Sequence, residues 1–213
     1  MSHKNSGLTL VETMVALTIL SILSLSVYTI FKSGIDAWSK SEERLEVYQD
    51  ARVVLDQISR ELVGAFADGA DAKLEGLDGG AAADTLTFVT NFSDSLYKIR
   101  YELITDAVYT SKKALQRGYI DYSVDTGVDY TSAVSHLVTF VPATKEIAVS
   151  NIKFQYLPVM TAPTGLADWA GAVTTWTDTA LPEAVKIILT FQDATGRDRT
   201  FETIVYLPNS ETE

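Results

Sequence analysis

The feature that most constrains this chain is an apolar run close to its start. From Leu8 to Phe31 every residue except Glu12 is apolar or carries a hydroxyl. As a helix rising ~1.5 Å per residue, these ~24 residues reach ~36 Å, enough to cross a hydrocarbon core of ~30 Å. A secretory signal has a shorter apolar region, about 7 to 15 residues, with its small-residue cleavage site behind it. Here the small residue, Gly7, stands in front of the run. A single spanning helix over 8–31 is therefore expected. Met1 to Gly7 is short and polar, with Lys4 as its fixed cation and His3 beside it. Positive charge at that end marks the cytoplasmic side.

Composition narrows the function classes. The formal net charge is -11 and no stretch is rich in cations, which excludes a role built on neutralising nucleic-acid phosphates. Without Lys4 the count is 16 cations (17 less one) against 28 acids, or -12. Cysteine is absent, so neither a disulfide framework nor a thiolate metal site is available. That absence does not decide the compartment.

Glu12 is the only ionisable residue between Leu8 and Phe31. Ionisable side chains in spanning segments face a partner or a cavity rather than lipid, and a position near the headgroups lowers their cost. On physical grounds alone, a headgroup location and a partnered location stay open.

Taken together, Gly7-Leu8-Thr9-Leu10-Val11-Glu12 resembles the prepilin processing motif of type IV pilins and type II secretion pseudopilins. The resemblance implies that a membrane aspartyl peptidase, the prepilin peptidase, cuts between Gly7 and Leu8 and N-methylates Leu8. Glu12 then stands fifth in the mature chain, where its carboxylate pairs with the terminal amine of a neighbouring subunit. Opposite charges in a low-dielectric layer stabilise each other only when brought together, so such a pair selects one stagger between adjacent helices. Leu8 departs from the phenylalanine most common at the first mature position.

Past Phe31 the pattern turns amphipathic. Phe31, Ile35, Trp38, Leu45, Tyr48, Leu55, Ile58, Leu62 and Phe66 recur at spacings of three, four or seven, with Glu42, Arg44, Asp56, Arg60 and Glu61 between them. One helix from Leu8 to Phe66 is expected, ~88 Å long, with Gly34 as a bend and Gly64 as a terminator. Ala67 to Asp84 reads as a mobile Gly, Ala and Asp-rich loop. Strands are expected over Thr85–Asn91, Tyr97–Ile104, Ala114–Tyr122, Leu137–Val141, Glu146–Leu157, Ala184–Phe191 and Arg199–Leu207. Asp193 to Gly196 supplies the turn of a C-terminal hairpin, and Pro158 to Pro182 is an irregular excursion. No internal repeat is detectable. The expected fold is α+β: a long helix, transmembrane then amphipathic, packed on an antiparallel β-sheet head. The expected organisation is a leader over 1–7, a transmembrane helix over 8–31, an amphipathic helix over 32–66, a β-rich head over 67–207 and a tail over 208–213.

The second half resembles the minor pseudopilin J of type II secretion systems. The residues that carry this are Leu115-Gln116-Arg117-Gly118-Tyr119, the segment Ile152 to Leu157 ahead of Trp169 and Trp176, and Leu181 to Lys186. The resemblance implies a place at the tip of a short periplasmic pseudopilus with minor pseudopilins of the I, K and H types and the major pseudopilin. It also implies a single-pass protein of the bacterial inner membrane, N-terminus cytoplasmic and head periplasmic, with no cofactor. A minor pilin of a type IV pilus stays open, as does a membrane-tethered periplasmic enzyme or binding protein.

Competing chemistry is thinly supported. A serine–histidine scheme rests on Ser135 and His136, and adjacent strand residues point to opposite faces. Asp68, Asp71, Glu75, Asp78 and Asp84 are numerous enough for a calcium loop, but their spacing does not match the EF-hand, and Asp125 and Asp129 read the same way. No catalytic or metal-ligating set is assigned. Trp169 and Trp176 are candidate partner contacts, since tryptophan is enriched at binding hot spots, with capping of the sheet as the alternative.

Overall fold

Helix α1 extends over Leu10–Val63. The computed structural model describes residues 9–67, 73–80, 83–92, 95–122, 136–141, 148–158, 169–193 and 196–207. The chain divides into two units, Met1–Leu45 and Glu46–Glu213, and α1 contributes to both.

In the first unit the helix continues through Gly34 without interruption, so the expected bend is not a break in the helix. Side chains from Thr9 to Glu42 are all exposed. Five of the hydroxyls among them are paired within the helix. Thr13, Thr18, Ser21, Ser26 and Thr29 each donate to the carbonyl one turn back, at 2.8 to 3.1 Å. Each such bond occupies a hydroxyl within the helix that carries it.

In the second unit, antiparallel strands form two sheets. The first is ordered β1 (Ala65–Phe66), β3 (Thr85–Phe92), β4 (Ser95–Thr105), β5 (Lys113–Asp121) and β6 (His136–Val141), with β2 (Glu75–Leu77) also pairing β3. The second is β7 (Ala148–Leu157), β8 (Ala184–Gln192) and β9 (Asp198–Tyr206). The α+β expectation is borne out, and each of the seven expected strands is present with ends shifted by a few residues. Their alternation explains them: on β8, Val185, Ile187, Leu189 and Phe191 are buried while Lys186, Ile188 and Thr190 are partly exposed.

Three expectations are corrected. The loop expected over Ala67 to Asp84 contains β2 and the fully buried Leu74, because its backbone is held by β3 on one side and by Trp176 on the other. The helix stops at Val63, and Phe66 lies in β1 rather than on the helix. A Cβ at Gly64 would meet the Thr90 hydroxyl at 2.7 Å, and that hydroxyl donates to the Glu61 carbonyl, satisfying one of the unpaired carbonyls at the helix end. Finally, the buried stripe is Val47, Ala51, Val54, Ile58 and Leu62, not one that includes Tyr48 and Phe66. Tyr48 instead sits at the rim, 55% exposed, and sets its ring against Phe201, 5.2 Å away. The stripe shares one core with Leu86, Phe88, Ile99 and Tyr101 of the first sheet and Ile152, Phe154, Ile187 and Leu189 of the second. Full burial of a side chain such as Ile58 or Leu62 contributes about 1.5–3 kcal/mol.

Candidate functional site

The start of α1 is built around two side chains. Thr9 precedes the first helical residue, and its Oγ1 accepts a hydrogen bond from the Glu12 backbone N–H at 3.3 Å. Its carbonyl takes the first helical bond, from the Thr13 N–H at 3.2 Å. Thr9 is thus the N-cap and Glu12 the third helical residue, the spacing of a capping box. A carboxylate there also faces the positive end of the helix dipole. Glu12 therefore has a local partner, the helix terminus itself, besides any partner from another chain. Gly7 and Leu8 lie outside the described residues. Helix α1 is the one described helix long and apolar enough to cross a membrane; its most apolar 18-residue window has a mean hydropathy of 2.1.

In the second unit the structure separates the two candidate tryptophans. Trp176 is buried, 8% exposed: its indole N–H donates to the Ala180 carbonyl at 2.9 Å, its ring lies 6.3 Å from that of Tyr156, and its backbone exchanges both hydrogen bonds with Gly76 at 2.8 Å. Its surface is taken up by the chain's own packing. Trp169 opens a 3-10 turn, Trp169–Gly171, is half-buried, and has the Lys186 ammonium 6.0 Å from its ring centroid. Of the two, Trp169 keeps surface that another molecule can touch.

Two charged networks went unremarked in the sequence. The Glu61 carboxylate, 4% exposed, receives hydrogen bonds from Tyr101 Oη (2.7 Å), Gln57 Nε2 (2.5 Å) and the Arg117 guanidinium (2.7 and 3.0 Å). Arg117 also lies over the Tyr119 ring at 4.9 Å. Burial alone would lower the Arg117 pKa, but the hydrogen bonds and charge of Glu61 outweigh it and hold the guanidinium protonated. Burial, reinforced by the Glu61 charge, pushes the Tyr101 phenol far above its ordinary value. Asp84 forms the second network: it accepts from Lys153 Nζ at 2.8 Å, Phe154 N at 2.9 Å and Gly79 N at 3.1 Å. Lys153 also reaches the Gly80 carbonyl and Asp78. The Gly80 amide, the Thr174 hydroxyl and Lys153 together lower the Asp78 pKa. The Asp84 hydrogen bond raises that of Lys153. Two of the acids weighed for calcium thus hold a lysine. Asp68, Asp71, Asp125, Asp129 and Ser135 lie outside the described residues. The signal that could have exposed the first network was a glutamate next to Leu62 and Ile58, the core residues of the helix.

Asp50 is different. It is partly buried beside the core stripe, makes no ion pair among the described residues, and loss of hydration raises its pKa. A carboxyl whose folded pKa is raised binds its proton more readily in the folded chain, so it opposes folding above that pKa and ceases to as pH falls through it. Asp50→Asn is expected to raise the melting temperature at pH 7, with the gain shrinking as pH falls toward 4. An equal gain at both pH values would assign it to packing instead.

A family model described as the prokaryotic N-terminal methylation motif matches residues 2–28. The prepilin-type N-terminus read from Gly7 to Glu12 is borne out by it. No curated protein matches the chain. Among solved structures, a type IV-like pilin from Thermus thermophilus is similar, at 12% identity and a TM-score of 0.46, over 76% of this chain and 97% of that one.

Proposed function

We propose that this pilin-like chain is a structural, non-catalytic subunit of a periplasmic filament, and specifically a minor pseudopilin of the J type in a type II secretion system. The observation that carries the reading is the coincidence at one helix start of Gly7, Leu8, an apolar span and a single carboxylate, Glu12, in the first helical turn. In this reading the prepilin peptidase removes 1–7, Leu8 becomes the N-methylated terminus, 8–31 spans the inner membrane with its leader end cytoplasmic, and 67–207 folds as the head in the periplasm. The new amine of Leu8 and the Glu12 carboxylate of an adjoining subunit form the pair that sets subunit stagger. The capping arrangement supports this, because a carboxylate eased by the helix terminus can wait in a monomer at lower cost than a bare charge. The J assignment rests on the segments around Arg117, Phe154 and Lys186; in the second unit Arg117 and Lys186 are engaged in ion pairs and Phe154 in the core. The I, K and H types and the major pseudopilin are the corresponding partners, with Trp169 the better placed of the two candidate contacts.

Glu12→Gln keeps the size and capping geometry and removes the charge. The expected outcome is normal cleavage, seen as a mature mass beginning at methylated Leu8, with incorporation reduced about tenfold or more, as expected for one lost charge pair in a low-dielectric layer. A mature protein that retains 1–7, or full incorporation of Glu12→Gln, would overturn the reading. Co-purification with pilus subunits in place of secretion subunits would move the chain to a type IV pilus.

A further inference from the structure

The two edges of the second sheet are finished differently. On the β7 side the outward main chain is taken up by the chain itself. The Ile152 carbonyl accepts from Asp84 N at 3.1 Å, Phe154 N donates to the Asp84 carboxylate at 2.9 Å, and Tyr156 exchanges both bonds with Val173 at 2.8 and 2.9 Å. The β9 side has no such cover. Leu207 N donates to the Glu183 carbonyl and Asp193 N to the Arg197 carbonyl, each at 3.0 Å, and both pairs continue the β8–β9 register one residue past its ends. Opposed residues in an antiparallel pair alternate between bonded and unbonded, so the odd-numbered residues of β9 bond β8. The even-numbered ones, Asp198, Thr200, Glu202, Ile204 and Tyr206, therefore turn N–H and C=O away from the sheet. Among the described residues none of these main-chain groups has a partner.

An open edge of this length is a template for another strand, and chains that avoid such pairing blunt the edge with proline, lysine or a bulge. β9 contains no proline or lysine, and its register with β8 is unbroken. Its central charge, Glu202, is drawn to Lys186 on β8 at 2.8 Å. Beside it Ile204 is 41% exposed and Tyr206 57%.

The strand is complementary to itself. Two copies can meet only where even residues oppose even residues, since those carry the free groups. Centring on Glu202 sets two carboxylates against each other, which is unfavourable. Centring on Phe201 leaves Tyr206 beyond the paired length. Centring on Thr203 opposes no like charges and brings both exposed apolar side chains inside the pair, Ile204 across from Glu202 and Tyr206 across from Thr200. On the other face it sets Phe201 across from Val205, an aromatic and β-branched pair of the kind that stabilises sheets.

We infer that β9 pairs edge to edge with β9 of a second copy of this chain, antiparallel about a two-fold axis at Thr203, joining two three-stranded sheets into one. About eight main-chain hydrogen bonds form across the axis. The inference does not rest on the filament reading, because a two-fold contact closes at two copies and builds no filament by itself.

The test uses the full chain expressed in cells, and the absence of cysteine makes single introduced cysteines unambiguous. Across the axis the two Thr203 Cα atoms lie about 4.5 Å apart, as in an unbonded pair, which a disulfide spans. Thr203→Cys is expected to give a disulfide-linked dimer on oxidation. Thr200→Cys alone is not, since its two copies lie about 20 Å apart, whereas Thr200→Cys mixed with Tyr206→Cys is. Ile204→Glu sets a carboxylate against Glu202 of the other copy, twice per dimer, and is expected to cut the dimer formed by Thr203→Cys about tenfold. Ile204→Lys sets an ammonium there and is expected to keep it. The cysteine arms remain decisive if either Ile204 variant fails to fold. No dimer from Thr203→Cys, equal dimer from Thr200→Cys alone, or equal loss from Ile204→Lys and Ile204→Glu would overturn the inference. So would benzoylphenylalanine at position 206 that attaches, under light, to a different protein and not to this chain.

Discussion

Gly76→Ala is expected to destabilise the second unit by about 3 kcal/mol, seen as a melting temperature lowered by roughly 6–12 °C. The added Cβ would lie 1.9 Å from Tyr156 Oη and 2.1 Å from its Cζ, and neither neighbour can yield easily. Tyr156 is fully buried against Trp176, and Gly76 is itself held by paired backbone hydrogen bonds to Trp176 and by its place in β2. Either the ring leaves the core or β2 leaves the sheet. Tyr156→Phe provides the complementary measurement. Among the described residues the Tyr156 hydroxyl is buried without a hydrogen-bond partner, and burial together with the Asp84 charge pushes its pKa far up. Removing that oxygen is therefore expected to be neutral or to stabilise by about 1 kcal/mol, since an unsatisfied polar group is lost. A clear loss of stability in Tyr156→Phe would show that the hydroxyl is satisfied, by water for instance, and an unchanged melting temperature in Gly76→Ala would refute the close approach.

Arg117→Met is expected to cost about 3–5 kcal/mol, because it leaves the Glu61 carboxylate buried with only neutral donors. Glu61 lies near the C-terminal end of α1, where the helix dipole opposes negative charge, so the guanidinium offsets two unfavourable terms at once. The double variant Glu61→Gln with Arg117→Met is expected to recover most of the loss, as glutamine still accepts from Tyr101 and leaves no charge behind. If the double variant is as unstable as the single, the arginine contributes through its guanidinium stacked over the Tyr119 ring rather than through its pairing with Glu61.

These two sites were not legible in the sequence, and the reason is the same for both. Gly76 sits in a stretch whose composition signals a loop, and its constraint comes from Tyr156, eighty positions away along the chain. Glu61 and Arg117 each resemble ordinary surface charges, and only the packing of α1 on the first sheet brings them together. The helix face was misread for a related reason. Periodicity identified an amphipathic helix but favoured its bulkiest residues, whereas the buried line also takes in the smaller Val47, Ala51 and Val54 and leaves Tyr48 at the rim. Strands, by contrast, were readable one by one, because period-two alternation is written locally.

By itself the sequence determined the properties that depend on neighbours along the chain: an apolar helix of membrane length, one carboxylate near its start, and strands whose faces alternate. The tertiary structure alone decided the division of those strands into two sheets, the face of α1 that is buried, and the partners of the buried charges. Hydrophobic period and capping are set within a turn or two of each residue, whereas sheet order and buried ion pairs depend on segments that meet only when the chain has folded.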